Sequence, residues 1–179
     1  MLDVAMDLFG RQGYEATSMT DLCVATGLHK GSLYRAFGDK HQLFLRSLQH
    51  YTKQSFKEMA SSAYLSNSPM ENLRSLVRKV VKRCFAGHGC LDVNSLVELA
   101  PHDPEVNTML DHGYTLRLRL VTDLIDKAQR TGEITIEQTP RRLATLLLMT
   151  LFGGAASVKG FINADDAGKA VEDLLNTWM

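Results

Sequence analysis

The sequence predicts an all-α protein: an N-terminal three-helix unit containing a helix-turn-helix, then a C-terminal helical bundle, about nine helices altogether. Three observations carry that expectation. Apolar residues recur at helical spacing in almost every segment, and the one strand-like alternation, Glu133 to Glu137, lies between a glycine turn and a proline. Between Thr17 and Lys40, two short apolar-periodic runs flank a single glycine. Met19, Leu22 and Cys23 give one helical face and Leu33, Tyr34 and Phe37 another, while Thr26-Gly27-Leu28 supplies a tight connection with glycine where a left-handed residue is needed. Helix, glycine turn, helix at this spacing is the pattern whose second helix enters the DNA major groove.

Each helix has its own start and stop signals. Helix 1 is expected from about Leu2 to Gln12, with Leu2, Ala5, Met6, Leu8 and Phe9 on its apolar face and Gly13 ending it. Ser18 is placed to cap helix 2, and Asp21 completes a short capping box. Helix 3 spans about Lys30 to Phe37. Gly38-Asp39 then breaks the pattern and leaves Asp39 to cap helix 4, from Lys40 to about Ala60, with Leu43, Phe44, Leu48, Tyr51, Phe56 and Met59 buried. SSAYLSNSP, Ser61 to Pro69, reads as a joint. Helix 5, about Met70 to Ala86, turns Leu73, Leu76, Val77, Val80, Val81 and Cys84 inward and Arg74, Arg78, Lys79, Lys82 and Arg83 outward. Gly87-His88-Gly89 separates it from helix 6, Leu91 to Ala100. Asp103 caps helix 7, about Glu105 to Arg130, and Thr131-Gly132 stops it. Helix 8 follows Pro140 to about Val158, and helix 9 runs from Asp165 to about Trp178 with two acids at its positive end.

Formal net charge is zero, so the total does not point to nucleic acid; the distribution does. Leu28 to Lys57 holds six Lys or Arg against Asp39 alone, a balance of +5, whereas residues 1–27 balance at −3. A local basic face suits phosphate binding, although a solvated helix surface gives the same pattern. Three cysteines, an odd number, without a signal peptide fit a reducing cytosol, and a cytoplasmic location is expected. The longest uncharged run, Leu143 to Val158, falls short of the roughly 20 apolar residues a membrane-spanning helix needs. It reads as a buried or interface helix, and no membrane partner is expected. No nucleophile–base pairing, glycine-rich phosphate loop or metal spacing points to an enzyme, a cofactor or a metal site, which leaves an enzyme with an accessory helix-turn-helix as an alternative of little weight.

The run LFGRQGYEATSMTDLCVATGLHKGSLYRAFGDKHQLF, Leu8 to Phe44, closely resembles the N-terminal domain of TetR-type transcriptional regulators. Leu8, Phe9, Gly13, Tyr14, Thr17, Ser18, Leu22, Gly27, Lys30, Gly31, Leu33, Tyr34, Phe37, Lys40 and Leu43 carry the match. The resemblance implies a helix-turn-helix DNA-binding domain over 1–45 and a ligand-binding and dimerisation domain over 46–179. It also implies a homodimer on a double-stranded DNA operator, released by an unknown small-molecule effector. By the same match, Ser18 and Thr20 open helix 2, Lys30, Gly31, Ser32, Tyr34 and Arg35 lie on the recognition helix, and Lys40 begins helix 4. Lys40 and Tyr34 suit phosphate, Arg35 has the fork geometry for guanine, and Ser32 and Thr20 reach base edges or phosphates. Leu22, Leu28, Leu33 and Phe37 are assigned to core. The sequence departs from the family pattern at Cys23, at His29 (which replaces the usual capping serine) and at Ala36, where a DNA-facing His or Tyr is common. It also begins almost at helix 1, so the contribution of a basic arm is expected to be missing.

The stretch Gly89 to Val106 resembles a subgroup that includes sensors of reactive or toxic small molecules. Candidate ligand contacts in the bundle are Cys90, Asn94, Glu98, Met109, His112, Tyr114, Met149 and Phe152. Glu98, a carboxylate within apolar LVELA, needs a partner: a ligand cation or donor, an arginine such as Arg117, or water. Cys84 and Cys90 flank the Gly-His-Gly turn and could approach each other. Cys90 near a helix N-terminus would have a lowered pKa, so a cysteine-based electrophile or redox sensor is an alternative to reversible ligand binding; two small buried hydrophobes is the plainer reading. A metal site from His88, Cys84 and Cys90 has no recognised spacing. Leu147, Leu151, Gly154, Ala155 and Val158 of helix 8, with Val171, Leu174, Leu175 and Trp178 of helix 9, are expected to form a four-helix dimer interface.

Overall fold

The computed structural model describes residues 1–85 and 89–179. Among them are nine α-helices and no strand: α1 (Leu2–Gln12), α2 (Met19–Thr26), α3 (Lys30–Phe37), α4 (Lys40–Ser62), α5 (Pro69–Phe85), α6 (Leu91–Glu98), α7 (Pro104–Arg130), α8 (Pro140–Ser157) and α9 (Ala164–Asn176). The expected break at Gly87-His88, the end of helix 5 at Ala86 and the metal reading through His88 lie outside the described residues.

Capping chemistry sets the helix starts. Ser18 and Asp21 form a reciprocal capping box on α2, and Asp39 accepts the Gln42 amide to open α4. Asp103 accepts the amides of Glu105 and Val106 ahead of Pro104 at the start of α7. His29 gives α3 no side-chain cap. Gly27 takes the left-handed conformation at φ 70°, which closes the turn into α3 without steric cost. At Gly13 the demand is double: φ is +88°, and an added Cβ would lie 2.8 Å from Glu98 Oε2.

Residues 133–137 form no strand. Ile134 is buried, and the Thr135 amide donates to the Trp178 carbonyl at 2.9 Å, which ties this segment to the residues following α9. Trp178 itself is 1% exposed.

Two cores result. Phe9, Leu22, Leu33, Phe37 and Phe44 fill the head, with Phe9 and Phe44 edge to face at 5.1 Å. Leu73, Leu76, Val121, Ile125, Leu147 and Leu175 fill the bundle. The 23-residue α4 crosses the expected division at 45/46 without a break, so it packs on α1 and α3 at one end and on α5 and α7 at the other. Some expectations fail at the boundary of the core. Leu28, assigned to it, is 36% exposed because the Gly27 turn lifts it off the head. Phe56, Val80 and Val81 are half-buried. Arg74 does not face outward into water; it pairs with Glu172 of α9 at 2.7 Å.

Candidate functional site

The head presents Ser18, Thr20, Lys30, Gly31, Ser32, Tyr34 and Arg35 at its surface, all exposed. α3 projects because only Leu33 and Phe37 are buried, one turn apart, leaving the rest of its circumference outward. Lys30 lies 5.8 Å over the Tyr34 ring, and neither Lys30 nor Arg35 is in an ion pair among the described residues. Two candidates have structural partners of their own. The Ser18 hydroxyl is engaged with Asp21 at 2.6 Å. Half-buried Lys40 donates to the Tyr14 carbonyl at 3.1 Å and sits 4.1 Å over the Tyr14 ring, so it clamps α4 to the loop after α1. An added Cβ on Gly31 would meet nothing within 4 Å, so this chain's own packing does not require glycine there.

α6 holds the head from the other side. Glu98 accepts the amides of Tyr14 at 2.9 Å and Glu15 at 2.7 Å, which satisfies the backbone just after α1. None of the three expected partners is therefore the one it has, and Arg117 is taken elsewhere. Asn94 donates to the Gly10 carbonyl at 2.7 Å and accepts from Lys159 at 2.5 Å. Both residues, offered as ligand contacts, serve the joint between head and bundle. His41 of α4 bonds Asp103 at 2.6 Å across the same joint. Burial raises the Asp103 carboxyl, but the His41 hydrogen bond and the capped amides outweigh it and hold the group below its ordinary range.

Inside the bundle, a cavity of about 30 Å³ is bordered by Tyr51, Cys84, Cys90, Asp92, Arg117 and Phe152 among others. Beside it a cleft of about 360 Å³ opens between α6, α7 and α8, bordered by Leu96, Asn107, Asp111, Tyr114, Met149 and Phe152. Asp92, Arg117 and Phe152 border both. Arg117 donates to Asp92 at 2.5 Å, with side-chain exposures of 5% and 7%, and Thr52 of α4 donates to the other Asp92 oxygen at 3.2 Å. Of the candidate ligand contacts, Cys90 borders the small cavity and Tyr114, Met149 and Phe152 the cleft. Met109 borders neither, and His112 is exposed. Sequence reasoning missed the ion pair. The signal was there for Arg117, which falls on the buried stripe 110, 113, 117, 121, 124 of α7, where an arginine needs an acid.

Cys84, at the end of α5, and Cys90, the N-cap residue of α6, meet at Tyr51 of α4. The Tyr51 hydroxyl donates to Cys90 at 3.4 Å and lies 3.7 Å from Cys84. Hydrogen bonding from Cys84 and the Val93 amide holds the Cys90 thiol down against its burial, while the hydrogen bond with Cys90 and burial push Cys84 up. Cys23 is half-buried against the head core.

Most residues expected at a dimer face are covered within the single chain. Leu147, Leu151, Ala155, Val171, Leu175 and Trp178 are at most 2% exposed within the single chain, and Val158 and Leu174 are half-buried. Gly154 is small because Phe85 of the same chain fills its space, with an added Cβ 2.5 Å from the ring. What α8 leaves in water is the opposite face: Leu146, Met149, Gly153 and Ala156, followed by Phe161 at 93% exposure. Among the described residues no helix is long and apolar enough to cross a membrane.

Comparisons with known proteins agree with this layout. A family model described as bacterial regulatory proteins, tetR family, matches residues 1–46, and one described as tetracyclin repressor-like, C-terminal domain, matches 69–173. The HTH-type transcriptional repressor ComR of Escherichia coli K12 is 25% identical over 181 residues, covering 99% of this chain and 86% of that protein. A solved cysteine mutant of the TetR family transcriptional regulator CifR, complexed with 26-base-pair double-strand operator DNA, is 28% identical with a TM-score of 0.83, covering 99% of this chain and 94% of that one. A TetR family regulator from Agrobacterium tumefaciens shares the fold at a TM-score of 0.91 and 19% identity, covering 99% and 95%.

Proposed function

This chain belongs to the TetR family of bacterial regulatory proteins, which are DNA-binding transcriptional regulators, and we propose that it is a cytoplasmic, homodimeric repressor released from its operator by a small-molecule effector. No catalysis and no cofactor enter this reading. The observation that carries it is α3: an exposed helix after a glycine turn, with Lys30 and Arg35 in no ion pair among the described residues. Residues 1–45 form the DNA-binding domain, where Lys30, Ser32, Tyr34 and Arg35 face the groove and its phosphates. Gly31 lets the α3 backbone approach closely, and Ser18, Thr20 and Lys40 support that contact from the starts of α2 and α4. Residues 46–179 bind the effector in the cleft beside Tyr114, Met149 and Phe152 and dimerise through the outward face of α8 with α9.

Two recognition helices related by a two-fold axis read a pseudo-palindrome with half-sites about 34–36 Å, or a multiple, apart. Effector binding moves α4, which runs from the bundle into the head, and the spacing no longer fits. By linkage, operator DNA weakens effector binding by the same factor. The test compares Arg35→Ala with wild type at fixed salt on a duplex selected from random double-stranded DNA by the wild-type protein. A loss of about 1–3 kcal/mol, roughly tenfold to more than a hundredfold, is expected. Undiminished binding removes Arg35 from the contact surface.

A further inference from the structure

We propose that Cys84 and Cys90 are a thiol pair that a hydroperoxide closes to a disulfide, and that Tyr51 passes the closure to the reading head through α4. The output rests on the regulator reading above; the thiol chemistry does not.

The geometry brings three helices to one point. Cys84 closes α5, Cys90 opens α6, and Tyr51 lies in α4 with its hydroxyl in contact with both sulfurs. Both sulfurs lie within 3.7 Å of one oxygen, which keeps them near neighbours, and proximity is the first requirement of a disulfide. All three side chains are buried, yet both thiols border the small cavity of about 30 Å³, which exceeds the roughly 10–15 Å³ that a water-sized molecule needs and so admits a small oxidant such as hydrogen peroxide. The chemical roles are divided by environment. Cys90, held toward its thiolate by Cys84, the Tyr51 hydroxyl and the Val93 amide of α6, is the nucleophile. Cys84 keeps its proton and resolves.

The Cys90 thiolate attacks the peroxide, the O–O bond breaks, and Cys90 becomes a sulfenic acid. The released alkoxide or hydroxide takes the proton that Cys90 had given up. Cys84 then attacks the sulfenic sulfur, its proton leaves with the hydroxyl as water, and the S–S bond forms. Two thiols have lost two electrons, and one hydroperoxide has become an alcohol, or water, plus a further water.

Closure changes what Tyr51 touches. Its hydroxyl now points at a thiol acceptor; a disulfide sulfur leaves it a poor one in a buried place. Arg83, stacked 4.8 Å over the Tyr51 ring and bonded to Glu58 at 2.6 Å, fixes the ring to the same stretch of α4. Relief therefore comes by moving that stretch, and Lys40 and the head move with it.

Purified reduced protein, wild type and Cys23→Ser, is treated with hydrogen peroxide at neutral pH and examined by intact-mass and peptide mass spectrometry. Affinity is measured on the duplex selected by reduced wild type. In both proteins we expect a loss of roughly 2 Da, a linked Cys84–Cys90 peptide, and about a tenfold drop in affinity that dithiothreitol reverses. Cys84→Ala should bind like wild type when reduced and form no bridge. Tyr51→Phe should form the bridge but lose less than about a third as much affinity. No mass loss, a bridge through Cys23, or unchanged affinity after bridging overturns the switch, and a full response in Tyr51→Phe overturns the route through its hydroxyl. Should reduced wild type select no duplex at all, the regulator reading falls, and transmission to the head falls with it. The mass result still decides the thiol pair.

Discussion

Lys30 and Arg35 stand in water on α3, whereas Arg117 lies sealed against Asp92 in the bundle. The three are cations of similar reach, yet they answer to opposite demands. An exposed cation keeps its hydration until a phosphate or base edge replaces it, so it contributes to binding and almost nothing to folding. A buried cation has given up that hydration and depends on its partner in every folded molecule. The head therefore keeps its charges for an external partner, while the bundle uses its charges to fix its own interior beside the candidate effector cleft.

The largest effect that would break this contrast lies in the bundle. Arg117→Ala leaves Asp92 buried without a counter-charge and should cost about 3–5 kcal/mol in denaturant unfolding. Replacing both, Asp92→Leu with Arg117→Met, should recover most of that loss. A cost below about 1 kcal/mol for Arg117→Ala alone would show that water reaches the pair. Next comes the joint. Gly13→Ala meets both a positive φ and the Glu98 carboxylate, and should lose about 1–3 kcal/mol of thermal stability together with operator affinity. In the head, Lys30→Ala should leave the melting temperature unchanged and lower the slope of log affinity against log salt by about 1. The smallest effect is a pH dependence. Asp103 binds its proton more weakly folded than unfolded, so its contribution is complete above about pH 4 and disappears as pH falls through the lower folded value. Asp103→Asn should match the wild-type pH slope of stability near neutrality and show a shallower decline in acid.

What was legible in the sequence divides along the same line. The helices of the head, the Ser18–Asp21 box, the Gly27 turn and the Asp39 and Asp103 caps are local chemistry, written within four residues of where they act. The partners of Glu98, Asn94 and Arg117 lie 25 to 84 residues away, and spacing carries no record of them. The covered face of helix 8 was illegible for a different reason. An apolar helix shows that much of its surface avoids water but not which face its own bundle takes. α8 packs chiefly on α7 and also on α5 and α9, which buries Leu147 and Leu151 and sets Phe85 against Gly154, leaving Leu146, Met149 and Gly153 outside. Leu28 shows the converse, an apolar residue lifted into water by the turn it follows.

Trp178, sealed just after α9 and hydrogen-bonded through its carbonyl to Thr135, is the one tryptophan in the chain. The head holds tyrosines but no indole. Selective excitation of tryptophan therefore sees only the far end of the bundle, while far-ultraviolet circular dichroism sees every helix. Melting curves from the two signals superimpose only if the head and the bundle unfold as one unit along α4. Without any added label, the molecule distinguishes a head that melts first from a chain that comes apart all at once.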